Sequence, residues 1–128
     1  MTGNNLVADT NIFIDLMKGD ESISQKLESC NDVYISPIVL AELYFGAYRS
    51  ANPEKHLIKI TSAIQKCRLL TIDATTAELF VTIKLALFTK GTPIPENDIW
   101  LAASAVQHQL PLYTSNKHFA EVADLFLV

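Results

Sequence analysis

Little of this 128-residue chain is given to cysteine, glycine or positive charge. The two cysteines, Cys30 and Cys67, show no metal-ligand spacing, which removes structural zinc from consideration. Free thiols in a reducing cytoplasm are the expectation, although sequence alone leaves a disulfide between them open. Ten Lys and Arg against fourteen Asp and Glu give a net charge of −4 and a pI near 5.2. That balance argues against a domain that grips nucleic acid through a general basic face. It does not exclude a nuclease whose acids hold cations, because bound cations reverse the local field. No apolar run approaches the roughly 20 residues needed to span a bilayer. The opening Met1-Thr-Gly-Asn-Asn lacks the basic and hydrophobic segments of a signal peptide. A cytoplasmic protein without membrane association is therefore expected, and neither an internal repeat nor a low-complexity segment is present.

What the chain does have is apolar material. Apolar residues make up 49% and charged residues 19%, enough for a real core in one domain spanning residues 1–128. The mean hydropathy of +0.21 is high for a soluble domain. It implies helices buried on more than one face, or apolar surface kept for a partner.

Short apolar runs alternate with helical patterns. Leu6-Val7-Ala8 reads as a buried strand, with Thr10-Asn11 turning and capping a helix through Met17. Glu21 to Ser29 is a second helical piece and Val33–Ile35 a brief strand. Ser36-Pro37 gives an N-cap followed by proline at the first helical position, opening a helix through Tyr48. After Asn52-Pro53 a helix runs from Glu54 to Cys67, and Leu69–Ile72 reads as the next strand. Thr75-x-x-Glu78 resembles a capping box for a helix through Phe88, closed at Lys90-Gly91. A proline-stiffened loop, 92–97, leads into a helix from Asp98 to His108. Leu112–Thr114 is a strand, Asn116 to Ala123 a short helix, and Phe126–Val128 a candidate edge strand. The alternation predicts an α/β class with a mainly parallel sheet.

Three acids interrupt this apolar pattern. Asp9 ends the first strand, and in parallel α/β sheets ligands bind beyond the strands' carboxyl ends. Capping the next helix is an equal reading of Asp9. Glu42 sits inside Ile38-Val-Leu-Ala-Glu-Leu-Tyr-Phe45, beside Ile38 and Phe45 on the helix surface. A carboxylate there costs several kcal/mol unless paired or coordinated, and Arg49 is the obvious salt-bridge partner. Asp98 opens the last long helix, where an acid also complements the helix dipole. Thr114 and Asn116 place a hydroxyl and an amide at another strand end, where both are also ordinary caps. Clustered carboxylates repel unless a hard cation joins them, and Mg²⁺ or Mn²⁺ suits oxygen ligands. Such sites perform metal-assisted phosphoryl chemistry.

These residues also carry a resemblance. Val7-Ala-Asp-Thr-Asn-Ile, Ser36-Pro-Ile-Val-Leu-Ala-Glu-Leu-x-x-Gly46, Ile94-Pro-Glu-Asn-Asp-Ile-Trp-Leu-Ala-Ala103 and Leu112-Tyr-Thr-Ser-Asn-Lys-His-Phe119 together resemble a PIN domain, specifically the VapC-type toxins of toxin–antitoxin modules. The four blocks cover nearly the whole chain in order. The resemblance implies a PIN-like three-layer sandwich, with a mainly parallel central sheet flanked by helices. It also implies a Mg²⁺- or Mn²⁺-dependent endoribonuclease acting on RNA, a homodimer, and a small antitoxin whose tail covers the active-site groove. Asp9, Glu42 and Asp98 take the places of three acids of the family. Thr10, Asn11 and Thr114 match polar positions that support the site. Asn116 falls where many members carry a fourth acid, and an amide ligates more weakly and adds no charge. Asp9 and Asp98 are thus the expected metal ligands, with Glu42 a further ligand or a holder of water on the ion. Attack of water in line on a phosphodiester would leave a 5′-phosphate and a 3′-hydroxyl.

The other polar residues read as ordinary. His56, His108 and His118 show no ligand spacing and are expected in surface or capping roles, His118 with Lys117 within reach of a phosphate on position alone. Trp100 is expected in the core or an interface. Asp15, Asp20, Asp73 and Asp124 read as solvated acids. Arg49, Lys84 and Lys90 are candidates for an RNA rim. Two competing functions are a catalytically impaired PIN-like module that binds RNA or protein, and a receiver-type phosphoacceptor. The second normally pairs adjacent acids after its first strand and needs a lysine after a late one, and this chain shows neither.

Overall fold

Leu6, Val7 and Ala8 are each almost wholly buried, as expected of a strand covered on both faces. They belong to β1 (Asn5–Ala8) in a computed structural model that describes residues 4–128; most of the opening segment discussed above, Met1 to Gly3, lies outside the described residues. Around β1 stand β2 (Asp32–Ile35), β3 (Cys67–Leu69) and β4 (Leu112–Tyr113), in the order β3-β2-β1-β4. Every pairing is parallel, with Leu6 opposite Val33, Ile35 opposite Leu69 and Ala8 opposite Tyr113. The helices are α1 (Thr10–Met17), α2 (Glu21–Glu28), α3 (Pro37–Tyr48), α4 (Pro53–Ile64), α5 (Ala74–Lys90) and α6 (Glu96–Gln107). The expected α/β class with a parallel sheet is the observed one.

The core gathers Val7 and Ile35 from the sheet with Phe13, Val39, Ile60, Leu87 and Leu101 from the helices. In α6, Ala102, Ala103 and Ala105 are fully buried beside Ser104, so the helix backbone can lie close to its neighbours. Ser104 satisfies its hydroxyl on the Trp100 carbonyl. Trp100 stacks on Phe80 of α5 at 4.2 Å between ring centroids, the expected packing role. Among the described residues no helix is long and apolar enough to cross a membrane. Both cysteines are free thiols, and burial pushes Cys67 up to about 11.

Several boundaries differ from the sequence expectations, each for a local reason. The strand expected at Leu69–Ile72 lies at Cys67–Leu69, because its partner β2 ends at Ile35, where Ser36 turns to cap α3. Helix α6 starts two residues before Asp98: the Pro95 carbonyl accepts from the Asp98 and Ile99 amides, placing Asp98 in the first turn. The helix expected over 116–123 is a 3-10 segment, Lys117–Glu121. Within it only Phe119 is buried, and the chain is extended again at Val122, so the segment closes a single tight turn over the core. Phe126–Val128 forms an isolated parallel bridge from Leu127 to Leu112. Asp20 is a cap as well as a solvated acid, accepting from the Ile23 amide.

The box opening α5 also shifts, from Thr75 and Glu78 to Asp73 and Thr76. Asp73 accepts from the Thr76 amide at 3.2 Å while its own amide donates to the Thr76 hydroxyl at 3.0 Å. Gln107 at the far end of α6 donates to the same carboxylate at 3.0 Å. Those bonds, the one from Gln107 first, hold Asp73 below its ordinary value of 3.8. A lowered folded-state pKa contributes stability that is present above the ordinary value and lost as pH falls through the lower one. Asp73→Ala is therefore expected to lower the Tm by a few degrees near neutral pH, with the gap to wild type narrowing in thermal melts below pH 3.8; a gap constant down to the acid limit would refute the role of the charge.

Candidate active site at the β1/β4 crevice

The strand order turns back on itself at β1. The chain leaves β1 to build β2 and β3 on one side, then returns to place β4 on the other. That reversal opens a crevice at the strands' carboxyl ends, the position where open α/β sheets hold ligands. Asp9 follows β1 there and Thr114 follows β4. A cleft of about 480 Å³ at this point is lined by Asp9, Thr10, Asn11, Glu42, Asp98 and Asn116. The structure thus brings the three sequence-predicted acids, from three separated segments, to one opening.

Asp9 is 3% exposed and its carboxylate is held from three sides. Oδ1 accepts from the Thr10 amide at 2.7 Å, and Oδ2 from the Thr114 hydroxyl at 2.8 Å and the Asn11 amide at 3.3 Å. The capping reading of Asp9 holds, since it is the N-cap of α1, and that role leaves it lining the cleft. The sequence put Thr10 and Asn11 in the cap; they form the first helical turn instead. Asn11 further accepts from the Ser115 amide, which ties the loop after β4 to α1. Thr114 stands behind Asp9 and accepts from the Asn116 amide at 3.0 Å.

Glu42 is half-buried on α3. The sequence offered Arg49 as its salt-bridge partner. The guanidinium instead lies over the Phe45 ring, 5.4 Å from its centroid. Glu42 takes neutral donors: Thr10 Oγ1 at 2.5 Å on Oε1 and Asn97 Nδ2 at 3.3 Å on Oε2. Asp98, its side chain 14% exposed, is bonded by His118 Nε2 at 2.7 Å on Oδ2. Burial raises the Asp98 carboxyl above its ordinary value, with repulsion from Asp9 and Glu42 adding to the effect and the His118 bond opposing it.

Three site residues escaped the sequence. Asn97 and Glu96 also line the cleft, and Glu96 is ion-paired with the exposed Lys84 of α5. His118 was expected in a surface or capping role, but its side chain is two-thirds covered and bonded to Asp98. Position after β4 was the only signal, since twenty residues separate the pair and no periodicity links a strand end to a helix start.

Among the described residues no Lys or Arg lines the cleft. The donor set is oxygen-rich, which suits a hard divalent cation. No three His, Cys, Asp or Glu side chains among the described residues are grouped closely enough to enclose an ion unaided.

Comparison with known proteins identifies the fold's relatives. The PIN-domain family model matches residues 6–125. The chain is 34% identical over 110 residues to ribonuclease VapC2 of Haemophilus influenzae, covering 84% of this chain and 83% of that protein. It is 30% identical over 120 residues to the tRNA(fMet)-specific endonuclease VapC of Shigella flexneri, covering 91% of each. In three dimensions it matches a chain of the VapBC2 complex of Rickettsia felis, solved on a DNA fragment from its promoter, with a TM-score of 0.92, 27% identity and 97% of each chain covered. With its acids at the strand-order reversal and its match along almost the whole length, the chain belongs to the PIN-domain family, among the VapC ribonucleases.

Proposed function

We propose that this protein is a Mg²⁺- or Mn²⁺-dependent endoribonuclease, the toxin of a cytoplasmic toxin–antitoxin pair. One observation carries the reading: Asp9, Glu42 and Asp98 converge on a cleft with no Lys or Arg in its lining. Asp9 and Asp98 are the proposed ligands. Mg²⁺ or Mn²⁺ would supply Lewis-acid stabilisation of the phosphodiester's developing charge and make a water acidic enough to attack. Thr10, Asn11 and Thr114 keep the Asp9 carboxylate in one orientation, so that no reorganisation is needed when substrate arrives. Glu42, fixed between Thr10 and Asn97, is placed to orient the attacking water and accept its proton. Asn116 contributes a neutral amide at the edge of the cleft, which supports a site built around one ion rather than two.

The exposed apolar side chains support two protein partners. On α5, Val81, Leu85 and Phe88 are each more than half exposed at a spacing that forms one stripe. A stripe of this kind is self-complementary across a two-fold axis, and it is the proposed homodimer contact. A cavity of about 600 Å³ bordered by Leu16, Met17, Leu27, Val33 and Ile58 is the proposed seat for apolar residues of the antitoxin.

Purified protein is expected to cut RNA, including tRNA, with Mn²⁺ or Mg²⁺ and to stop in EDTA. Asp9→Asn and Asp98→Asn should each reduce cleavage by about a hundredfold or more. Without metal, Asp98→Asn should melt no lower than wild type, because one of three repelling charges is gone; Mn²⁺ should raise the Tm of wild type alone. Undiminished cleavage by both variants would remove the proposed site, and no cleavage with no metal binding would leave a binding module. In sedimentation, wild type should run as a dimer and Leu85→Glu as a monomer; an unchanged dimer would move the contact elsewhere.

A further inference from the structure

His118 does not line the cleft but is bonded to Asp98, which does. It sits in the 3-10 segment after β4, next to Phe119, which is fully buried and whose ring centroid lies 4.9 Å from the imidazole. The same segment is tied to the end of α5, where Lys90 Nζ donates to the Glu121 carbonyl at 2.7 Å. The imidazole is thus carried on an anchored piece of backbone. Its Nε2 meets Asp98 Oδ2 at 2.7 Å, and since an ionised carboxylate only accepts, the bond assigns the hydrogen to Nε2. Asp98 Oδ1 has no hydrogen-bond partner among the described residues. Asp9 and Glu42 each receive two or more donors; Asp98 has His118 as its sole side-chain partner among the described residues.

We propose that His118 is a positioning residue for Asp98: by holding Oδ2 it fixes the carboxylate so that Oδ1 is presented to the cation, and it makes no contact with RNA itself. This role rests on the metal-dependent reading of the cleft. An Asp side chain has two torsions, and at Asp98 no hydrogen bond other than the one from His118 fixes them among the described residues. Repulsion from Asp9 and Glu42 favours rotation out of the cleft, and the bond to His118 opposes it. Groups that orient metal ligands through hydrogen bonds govern affinity for the ion without touching it.

The test compares wild type with His118→Leu, which fills similar space without a donor, and His118→Gln, whose Nε2 can reach the same oxygen. Three quantities are measured on the whole protein: Mn²⁺ affinity by calorimetry, RNA affinity in EDTA by fluorescence anisotropy, and cleavage as a function of Mn²⁺. His118→Leu is expected to weaken Mn²⁺ binding by about tenfold or more, to leave RNA binding in EDTA unchanged, and to recover cleavage as Mn²⁺ is raised. His118→Gln is expected to behave close to wild type in all three. If the Leu variant melts early, His118→Asn, polar but too short to reach Oδ2, takes its place. Unchanged Mn²⁺ affinity in the Leu or Asn variant would overturn the role, as would a fall in RNA affinity in EDTA, which would make His118 a phosphate contact. Failure of Gln to restore Mn²⁺ binding would overturn it too, in favour of the imidazole as a ligand. A wild-type protein that binds no Mn²⁺ at all would instead sink the reading of the cleft on which this role stands.

Discussion

The parallel pairing of β1 with β4 is the contact on which the site depends. It joins Val7 to Leu112 and Ala8 to Tyr113, residues separated by most of the chain, and it does so over only two residue pairs. Its consequence is the bond from Thr114 to Asp9 at 2.8 Å, which spans a sequence separation of 105 residues. A parallel neighbour requires a crossover, and here the crossover passes through β2, β3 and six helices before β4 arrives. So short a strand pair cannot carry its own closure entropy. The surrounding burial holds it: Leu112 and Phe119 are fully covered, and Leu112 is bonded on its far side to Phe126 and Val128. The carboxyl terminus, by pairing with β4, closes the sheet beside the residues that support Asp9.

How much of this was legible in the sequence follows from the range of the forces involved. Period and caps are local, so β1, α3 with its Ser36-Pro37 start, and the Lys90-Gly91 stop were readable within a residue or two. Gly91 adopts φ +75°, the left-handed conformation that ends helices at glycine. The three acids were readable because each interrupts an apolar pattern, and such an interruption needs a cause. β3 was misplaced because its limits are set by where β2 stops, a tertiary fact. Asn97 and His118 were missed for the same reason in sharper form: a neutral or weakly basic side chain in a helix's first turn or a short 3-10 segment breaks no pattern. Its importance lies wholly in what it faces.

The high mean hydropathy has a physical location. Helix α3 is apolar nearly all round, with Val39, Leu43 and Ala47 inward and Tyr44, Phe45 and Tyr48 outward. Helix α5 buries Ile83 and Leu87 and exposes Val81, Leu85 and Phe88. Neither is amphipathic in the manner of a helix with one solvated face. The core alone does not call for that second apolar face, whereas burial against another protein does. The surplus in composition is thus a surface property, and it lies on the helices rather than around the acids.

The cleft itself combines order with unbalanced charge. Thr10, Asn11, Asn97 and Thr114 are neutral; they orient carboxylates and satisfy lone pairs, but they cancel no charge. Among the described residues His118 is the one basic side chain bonded to the acids, and it meets only Asp98. Orientation without neutralisation leaves a rigid site that repels a bare RNA phosphate and attracts any cation of fitting size. Two kinds of cation can meet that need: a divalent ion that brings phosphate with it, or a basic side chain that occupies the carboxylates and brings none. An arginine offered by an antitoxin tail would form charge-assisted bonds to the same oxygens. On the proposed reading, activity and inhibition would compete for the same carboxylate oxygens, and an antitoxin tail seated there would exclude the ion.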